Sequence, residues 1–272
     1  MNYQTFLPHP ELAPLVKCYW TLEVPASAQQ TRQRIVPDGC IEMAFILADD
    51  VRRFTTEDKY HLQPRSMVLG QITEPFFIEP VGEVQTFAVR FYPLGFANFI
   101  DFPLSRLADT ETPVDLLFPD EAVELNRQIR CAVNTAGRIE IIEKFLMERL
   151  SKQTTIDVIV KSTFDALAAS NGNAPIHTIL GGDMARRRQL ERKFRKQIGL
   201  SPKVLGRVIR LQAALKLLLN GPEDSLTKIA YEAAYYDQAH FIRDFREFTG
   251  TSPRQFLDSD LMALSSLFYK DP

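Results

Sequence analysis

The sequence is poor in the residues that carry metal and redox chemistry. Its 272 residues include three cysteines, Cys18, Cys40 and Cys131, and four histidines, His9, His61, His177 and His240. The cysteines are odd in number and none lies in a C-x-x-C pair, which argues against a disulfide scaffold and fits a reducing compartment. Each reads as a small buried apolar residue. The histidines are isolated along the chain, so clustered ligands for zinc or iron are not expected. There is no G-x-S-x-G, Walker loop, H-E-x-x-H or dinucleotide fingerprint, so neither a cofactor nor an enzyme is expected. Long apolar runs are missing too. The stretches Ala213–Leu215 and Leu217–Leu219 are interrupted by Lys216 and fall far short of the roughly 20 residues that span a bilayer. The first ten residues carry no basic and apolar leader, so a cytoplasmic protein without a membrane partner is expected.

What remains is a composition able to bury cores, 45% hydrophobic and 24% charged, in a chain long enough for two domains. The formal net charge of −2 conceals an asymmetry. Residues 181–256 carry 15 Lys/Arg against 8 Asp/Glu, whereas the rest carries 17 against 26. A basic region on an acidic body fits either a polyanion partner or a solvated helix face.

From about residue 14 to 110, short β-prone runs alternate with Pro- and Gly-containing turns. The clearest are Cys40–Leu47, Ser66–Leu69, Phe76–Ile78 and Val84–Phe91, the punctuation of an all-β sandwich or barrel. Short helices are expected at 94–101 and 103–108, then longer ones at Asp120–Arg130 and Ala136–Leu150. The last carries Ile139, Ile142, Phe145, Leu146 and Leu150 at helical spacing, which suits either a homodimer contact or packing on the barrel. From Thr154 onward the pattern is helical. The expected architecture is α+β, with a β-rich domain at 1–152, an all-α domain at 153–260 and a tail at 261–272.

The helical half contains a repeat. Shifted by 51 residues, Gln189–Leu205 falls on His240–Phe256 with identities at Arg192/Arg243, Phe194/Phe245, Arg195/Arg246, Gly199/Gly250, Ser201/Ser252 and Pro202/Pro253. In the second copy Asp237 can cap a helix whose stripe is Phe241, Phe245 and Phe248, and Gly250 can end it in the left-handed conformation. Upstream, Ser225 can cap a short helix with Lys228 at its third position. A short helix, a tight turn and a polar-faced helix make a helix-turn-helix plan. The first copy is more basic, with Arg186–Arg188 opening a helix held inward by Leu190, Phe194 and Ile198. Between them Pro202–Asn220 reads as a long connector ended by Asn220-Gly221-Pro222.

The stretch Ser225–Phe256, with its I-A, D-Q-A-H-F, R-x-F and G-x-S-P elements, closely resembles the second helix-turn-helix of AraC-type (AraC/XylS) transcriptional regulators. Arg188–Pro202 looks like the end of the first motif, and the resemblance covers about residues 154–258. It implies double-stranded DNA as partner, with RNA polymerase and a small-molecule effector as further candidates. Base contacts would fall to Arg188, Glu191 and Arg192 in the first motif and to Gln238, His240 and Arg243 in the second. The chemistry suits this, since arginine pairs with guanine, glutamine with adenine and glutamate with cytosine. Arg187, Arg195, Lys203, Arg246 and Arg254 would meet phosphates. Arg243 has a structural alternative, an ion pair with Asp244 or Glu247.

Two departures stand out. Ala234 occupies a turn position where the family usually has glycine, and positive φ there would cost of order 1 kcal/mol. Gly181-Gly182-Asp183 replaces the family's usual turn and cap in the first motif. The segments Arg34–Glu42 and Gly70–Gly95 resemble an uncharacterised sensor-like domain, which implies a cupin-like barrel. Tyr19, Trp20, Phe45, Phe76, Phe77, Phe87, Phe91 and Tyr92 could line an effector pocket or simply fill the barrel. Arg34, Glu42 and Arg90 could orient a ligand or sit on a solvated face. The expectation is a sequence-specific, effector- or dimer-controlled regulator. The alternative is a ligand-binding or interaction protein whose helical domain holds DNA without sequence preference.

Overall fold

The computed structural model describes residues 1–26, 31–150, 156–176, 184–221 and 225–257. Ten strands lie among them: β1 (Asn2–Phe6), β2 (Val16–Val24), β3 (Gln33–Ile35), β4 (Ile41–Ile46), β5 (Val51–Phe54), β6 (Tyr60–Leu62), β7 (Ser66–Leu69), β8 (Phe76–Pro80), β9 (Val84–Phe91) and β10 (Glu111–Pro113). They form a six-stranded sheet, β1-β2-β9-β4-β7-β10, and a four-stranded sheet, β3-β8-β5-β6. The runs expected at Ser66–Leu69 and Val84–Phe91 form strands with those bounds, while Cys40–Leu47 shortens to β4 and Phe76–Ile78 lengthens to β8. The opening strand β1 was not expected. Its Asn-Tyr-Gln-Thr-Phe sequence is largely polar because it is a sheet edge, paired among the described strands with β2 alone.

Successive side chains of a strand point to opposite faces, and the six-stranded sheet buries both. On one face Tyr19, Phe45, Phe87 and Phe91 join a core completed by two 3₁₀ turns, Phe96–Asn98 and Leu104–Arg106, and by helices α1 (Val114–Leu117), α2 (Ala122–Cys131) and α3 (Thr135–Leu150). Phe91, Phe96, Phe118 and Phe145 form a chain of edge-on rings there. On the other face Trp20, Leu22, Ala44, Ile46 and Ala88 look toward the four-stranded sheet. Ile142, Phe145 and Leu146 of α3 are buried in the first core, with Ile139 and Leu150 packed against it. The apolar face that suggested a dimer contact is therefore used within the chain.

The helical half comprises α4 (Val158–Ala169), α5 (Met184–Ile198), α6 (Pro202–Asn220), α7 (Leu226–Glu232), α8 (Gln238–Thr249) and α9 (Pro253–Leu257). The connector α6 runs through its centre, burying Leu205, Val208, Leu211, Leu215 and Leu218 against Leu190, Phe194 and Ile198 of α5 and Phe241, Phe245 and Phe248 of α8. The domain boundary near 152, the turn Gly181-Gly182-Asp183 and the tail at 261–272 lie outside the described residues.

The two halves meet along a seam. Val36, between β3 and β4, is buried in the helical core, and Gln212 of α6 donates its amide to the Pro37 carbonyl at 2.5 Å. Gly39 lies against Leu205 and Val208. Lys196 at the end of α5 pairs with Asp101 at 3.3 Å.

Candidate nucleic-acid interface

The second helix-turn-helix is built from local signals that all agree. Ser225 accepts a hydrogen bond from the Lys228 amide and so caps α7. The helix ends when Ala234 turns left-handed at φ 60°. The Tyr235 amide then donates to the Ala230 carbonyl and the Ala234 amide to that of Tyr231, a paired closure of the orphan carbonyls that normally has glycine at its left-handed position. Asp237 accepts from the His240 amide at 2.7 Å and caps α8. Phe241, Phe245 and Phe248 are buried, and Gly250 closes the helix at φ 71°.

The repeat extends to three dimensions. Gly199 takes φ 97° where Gly250 takes 71°. Ser201 caps α6 through the Val204 amide as Ser252 meets the Gln255 amide. Leu190 and Phe241, and Phe194 and Phe245, are buried alike. With its inward face so fixed, each helix leaves an opposite polar face in solvent.

On α5 that face holds Arg187, Arg188, Arg192 and Arg195, all exposed. Glu191 is half-buried and lies 3.8 Å from Arg187. On α8, Gln238 and Arg243 are exposed, and the Gln238 carbonyl oxygen accepts from the Thr227 hydroxyl at 2.9 Å, which steadies its amide plane. His240 sits further in, edge-on to Tyr235, with Nε2 3.7 Å from Asp244. Lys203, Arg246 and Arg254 are exposed at the ends of their helices.

The ion pair considered for Arg243 is made by another residue. Arg207 of α6 reaches Asp244 at 3.0 Å and Glu247 at 2.8 Å, with its guanidinium over the Phe248 ring. These bonds hold the Glu247 carboxyl below its usual range. Arg207 locks the connector to the second polar-faced helix, and Arg243 is left in solvent. The sequence carried no pattern for this clasp, since its partners lie 37 and 40 residues away.

Between the two sheets lies a cavity of about 200 Å³. Trp20, Glu42 and Arg90 line it, together with Phe76, Ala44, Ile46, Met67 and others. Phe45 and Phe87 do not. They stack on each other on the opposite face of the sheet, with ring centroids 6.2 Å apart. The reason is strand parity: Glu42 and Arg90 are directly paired across β4 and β9, so their odd-offset neighbours point away. Arg34 is also turned off the cavity, over the Phe77 ring, while Gln33 and Ile35 line it.

At the seam end of the cavity the polar groups converge. Arg90 bonds Asp38 and lies 3.5 Å from Glu42. The indole of Trp20 donates to Glu42 at 3.2 Å. Burial pushes the Glu42 carboxyl up to about 7, against the lowering effects of the Trp20 bond and of Lys17. Asp38, between β3 and β4, also accepts from the Cys40 amide.

Residues 185–259 match a family model described as a helix-turn-helix domain, and residues 4–113 match one described as a domain of unknown function (DUF6597). Over 70 residues, 26% of this chain, the sequence is 37% identical to the HTH-type transcriptional regulator MtrA of Neisseria gonorrhoeae. The chain spans 23% of the length of that curated relative. Among solved structures, ToxT from Vibrio cholerae superposes with TM-score 0.46 at 13% identity, over 85% of this chain and 97% of that one. The C-terminal domain of AraT, a response regulator from Geobacillus stearothermophilus, gives TM-score 0.33 at 24% identity over 38% and 86%. No helix among the described residues is long and apolar enough to cross a membrane. The chain carries an AraC-type helix-turn-helix domain behind a β-rich N-terminal domain of unknown function.

Proposed function

We propose that this protein is a sequence-specific DNA-binding transcriptional regulator whose two polar-faced helices, α5 and α8, enter successive major-groove segments of one duplex. The observation that carries this reading is the pair of equivalent helices, locked by one connector and each presenting an exposed polar face. Arg188 and Arg192 are then the base readers of the first unit and Gln238 and Arg243 those of the second. Glu191 and His240 take smaller shares, because each is half-buried and engaged by a neighbour. Arg187, Arg195, Lys203, Arg246 and Arg254 hold phosphates.

Control comes from the N-terminal half, through an effector in the cavity between the sheets. The Pro37-Asp38-Gly39 turn supports this, because its carboxylate faces the cavity while its Pro37 carbonyl and Gly39 rest on α6. A homodimer would present four helix-turn-helix units to two half-sites and raise affinity through effective concentration.

The test is selection of bound duplexes from a random library, using the full-length protein at physiological salt. Two short enriched blocks about one helical turn apart, roughly 10 base pairs, are expected. Retention of DNA with no enriched sequence would reduce the helical half to a basic, sequence-blind module and overturn the reading.

A further inference from the structure

Building on the effector reading above, we propose that the cavity between the sheets takes a cationic amphiphile: an apolar body with a positively charged, hydrogen-bond-donating head, such as a primary ammonium, seated against Asp38 and Glu42 beside Trp20.

The body follows from the walls. Leu22, Ile46, Val51, Met67, Phe76 and Ile78 contribute apolar surface from both sheets, and such a space binds by removing apolar surface from water. The head follows from the charge count at the seam end. Among the described residues, the cavity-lining side chains carry two carboxyl groups, Asp38 and Glu42, against one guanidinium, Arg90. Arg90 is only 4% exposed and is engaged by both acids. An anionic head would have to draw Arg90 from one of them, leaving a buried carboxylate without its counter-charge, which is costly. A cationic head needs no such exchange, because it adds the charge that this end lacks.

Two further features suit a cation. The Trp20 ring stands at the same end, its N–H already directed to Glu42, and an indole face attracts cations. Burial raises the Glu42 carboxyl to about 7, and an arriving cation would offset that cost by adding a second counter-charge beside Arg90. The groups facing Glu42 are Arg90 on β9, Trp20 on β2 and, acting through space, Lys17, with Tyr3, Cys18 and Cys40 close by. Lys17 is exposed and does not line the cavity.

Trp20 is the single tryptophan of the chain, so its fluorescence reports directly on this site. The full-length protein is titrated with matched alkyl amines, alcohols and carboxylates of four to eight carbons, below their micelle concentrations. The amine is expected to perturb Trp20 and to bind at least tenfold more tightly than the alcohol or carboxylate of equal length. Glu42→Gln is expected to bring amine and alcohol to within about threefold while leaving alcohol affinity in place. Asp38→Asn gives the same comparison with Glu42 intact, should the first variant fold poorly. Equal or tighter binding of the carboxylate overturns the cationic assignment and leaves the effector reading standing. So does an amine preference that survives both substitutions. No response to any of the three head groups overturns both.

Discussion

At Arg188 and Gln238 the side chain, rather than the backbone around it, carries the functional claim. Both are exposed on faces that packing has fixed, so truncation removes a contact without opening a cavity. Arg188→Ala and Gln238→Ala should each relax preference at one position of the bound site by about 1–3 kcal/mol. Lys203→Ala should instead weaken all sequences alike and lower the slope of log affinity against log salt by about 1. Binding measured across a set of single-base variants at two salt concentrations separates the outcomes, and unchanged preference in a variant carrying both Arg188→Ala and Gln238→Ala removes the base-reading assignment. Glu42 makes a different single-residue prediction. Its carboxyl titrates near 4.5 when unfolded and about 7 when folded. Between these values the folded chain retains a proton that the unfolded chain releases, so stability falls as pH rises through that window, by up to about 3 kcal/mol. Thermal unfolding from pH 5 to 8 should show that loss in the wild type and lose this component in Glu42→Gln. The chemistry of these residues was legible in the sequence. Which face of the sheet each β residue occupied was not, because β4 and β9 are buried on both sides and the apolar-polar alternation that marks a face is blurred. That is why Phe45 and Phe87 read as equal candidates with Trp20 and lie in the other core.

The helix-turn-helix elements were the most legible part of the fold, since caps, stops and apolar stripes are local. Pro202–Asn220 forms a helix with the expected bounds, Ser225 and Asp237 cap as read, and Gly250 is left-handed. Ala234 is the informative departure. The closing pattern of α7 demands a left-handed residue, and alanine meets that demand at φ 60° with a clash that glycine would not have. Ala234→Gly should therefore stabilise the domain by up to about 1 kcal/mol, despite the greater freedom it gives the unfolded chain. Gly250→Ala places the same strain at the end of α8 and should destabilise by about 1 kcal/mol. Urea unfolding midpoints of the two variants should move in opposite directions. Movement in the same direction would mean that side-chain space, rather than backbone conformation, governs these turns. The β elements were less legible where they were short or at an edge. β6 and β10 have three residues each, too few for a period to emerge.

The whole molecule adds what neither residues nor elements announced, a seam that joins the cavity to the two polar-faced helices. Asp38 faces the cavity, and its neighbours Pro37 and Gly39 touch α6. From α6 the Arg207 clasp reaches α8. These partners are separated by up to 175 residues, and no sequence pattern marks a contact of that range. An effector that re-paired Asp38 would act on a turn on which the connector rests, so effector binding at the cavity and DNA binding at the two polar-faced helices should be energetically linked, each changing the other's affinity by the same factor. Gln212 offers the cleanest interruption. Gln212→Ala removes the hydrogen bond to the Pro37 carbonyl, a loss of about 1 kcal/mol, yet it leaves every proposed DNA contact and every cavity wall in place. DNA affinity without effector should stay within about twofold of the wild type. Amine binding, read from Trp20 fluorescence, should also persist. What should shrink toward one is the ratio of DNA affinities measured with and without saturating amine. If that ratio keeps its wild-type value in Gln212→Ala, the Pro37–Gln212 bond is only a structural tie, and any coupling must run through the other seam contacts, those of Val36 and Gly39 with the helical core or that of Lys196 with Asp101.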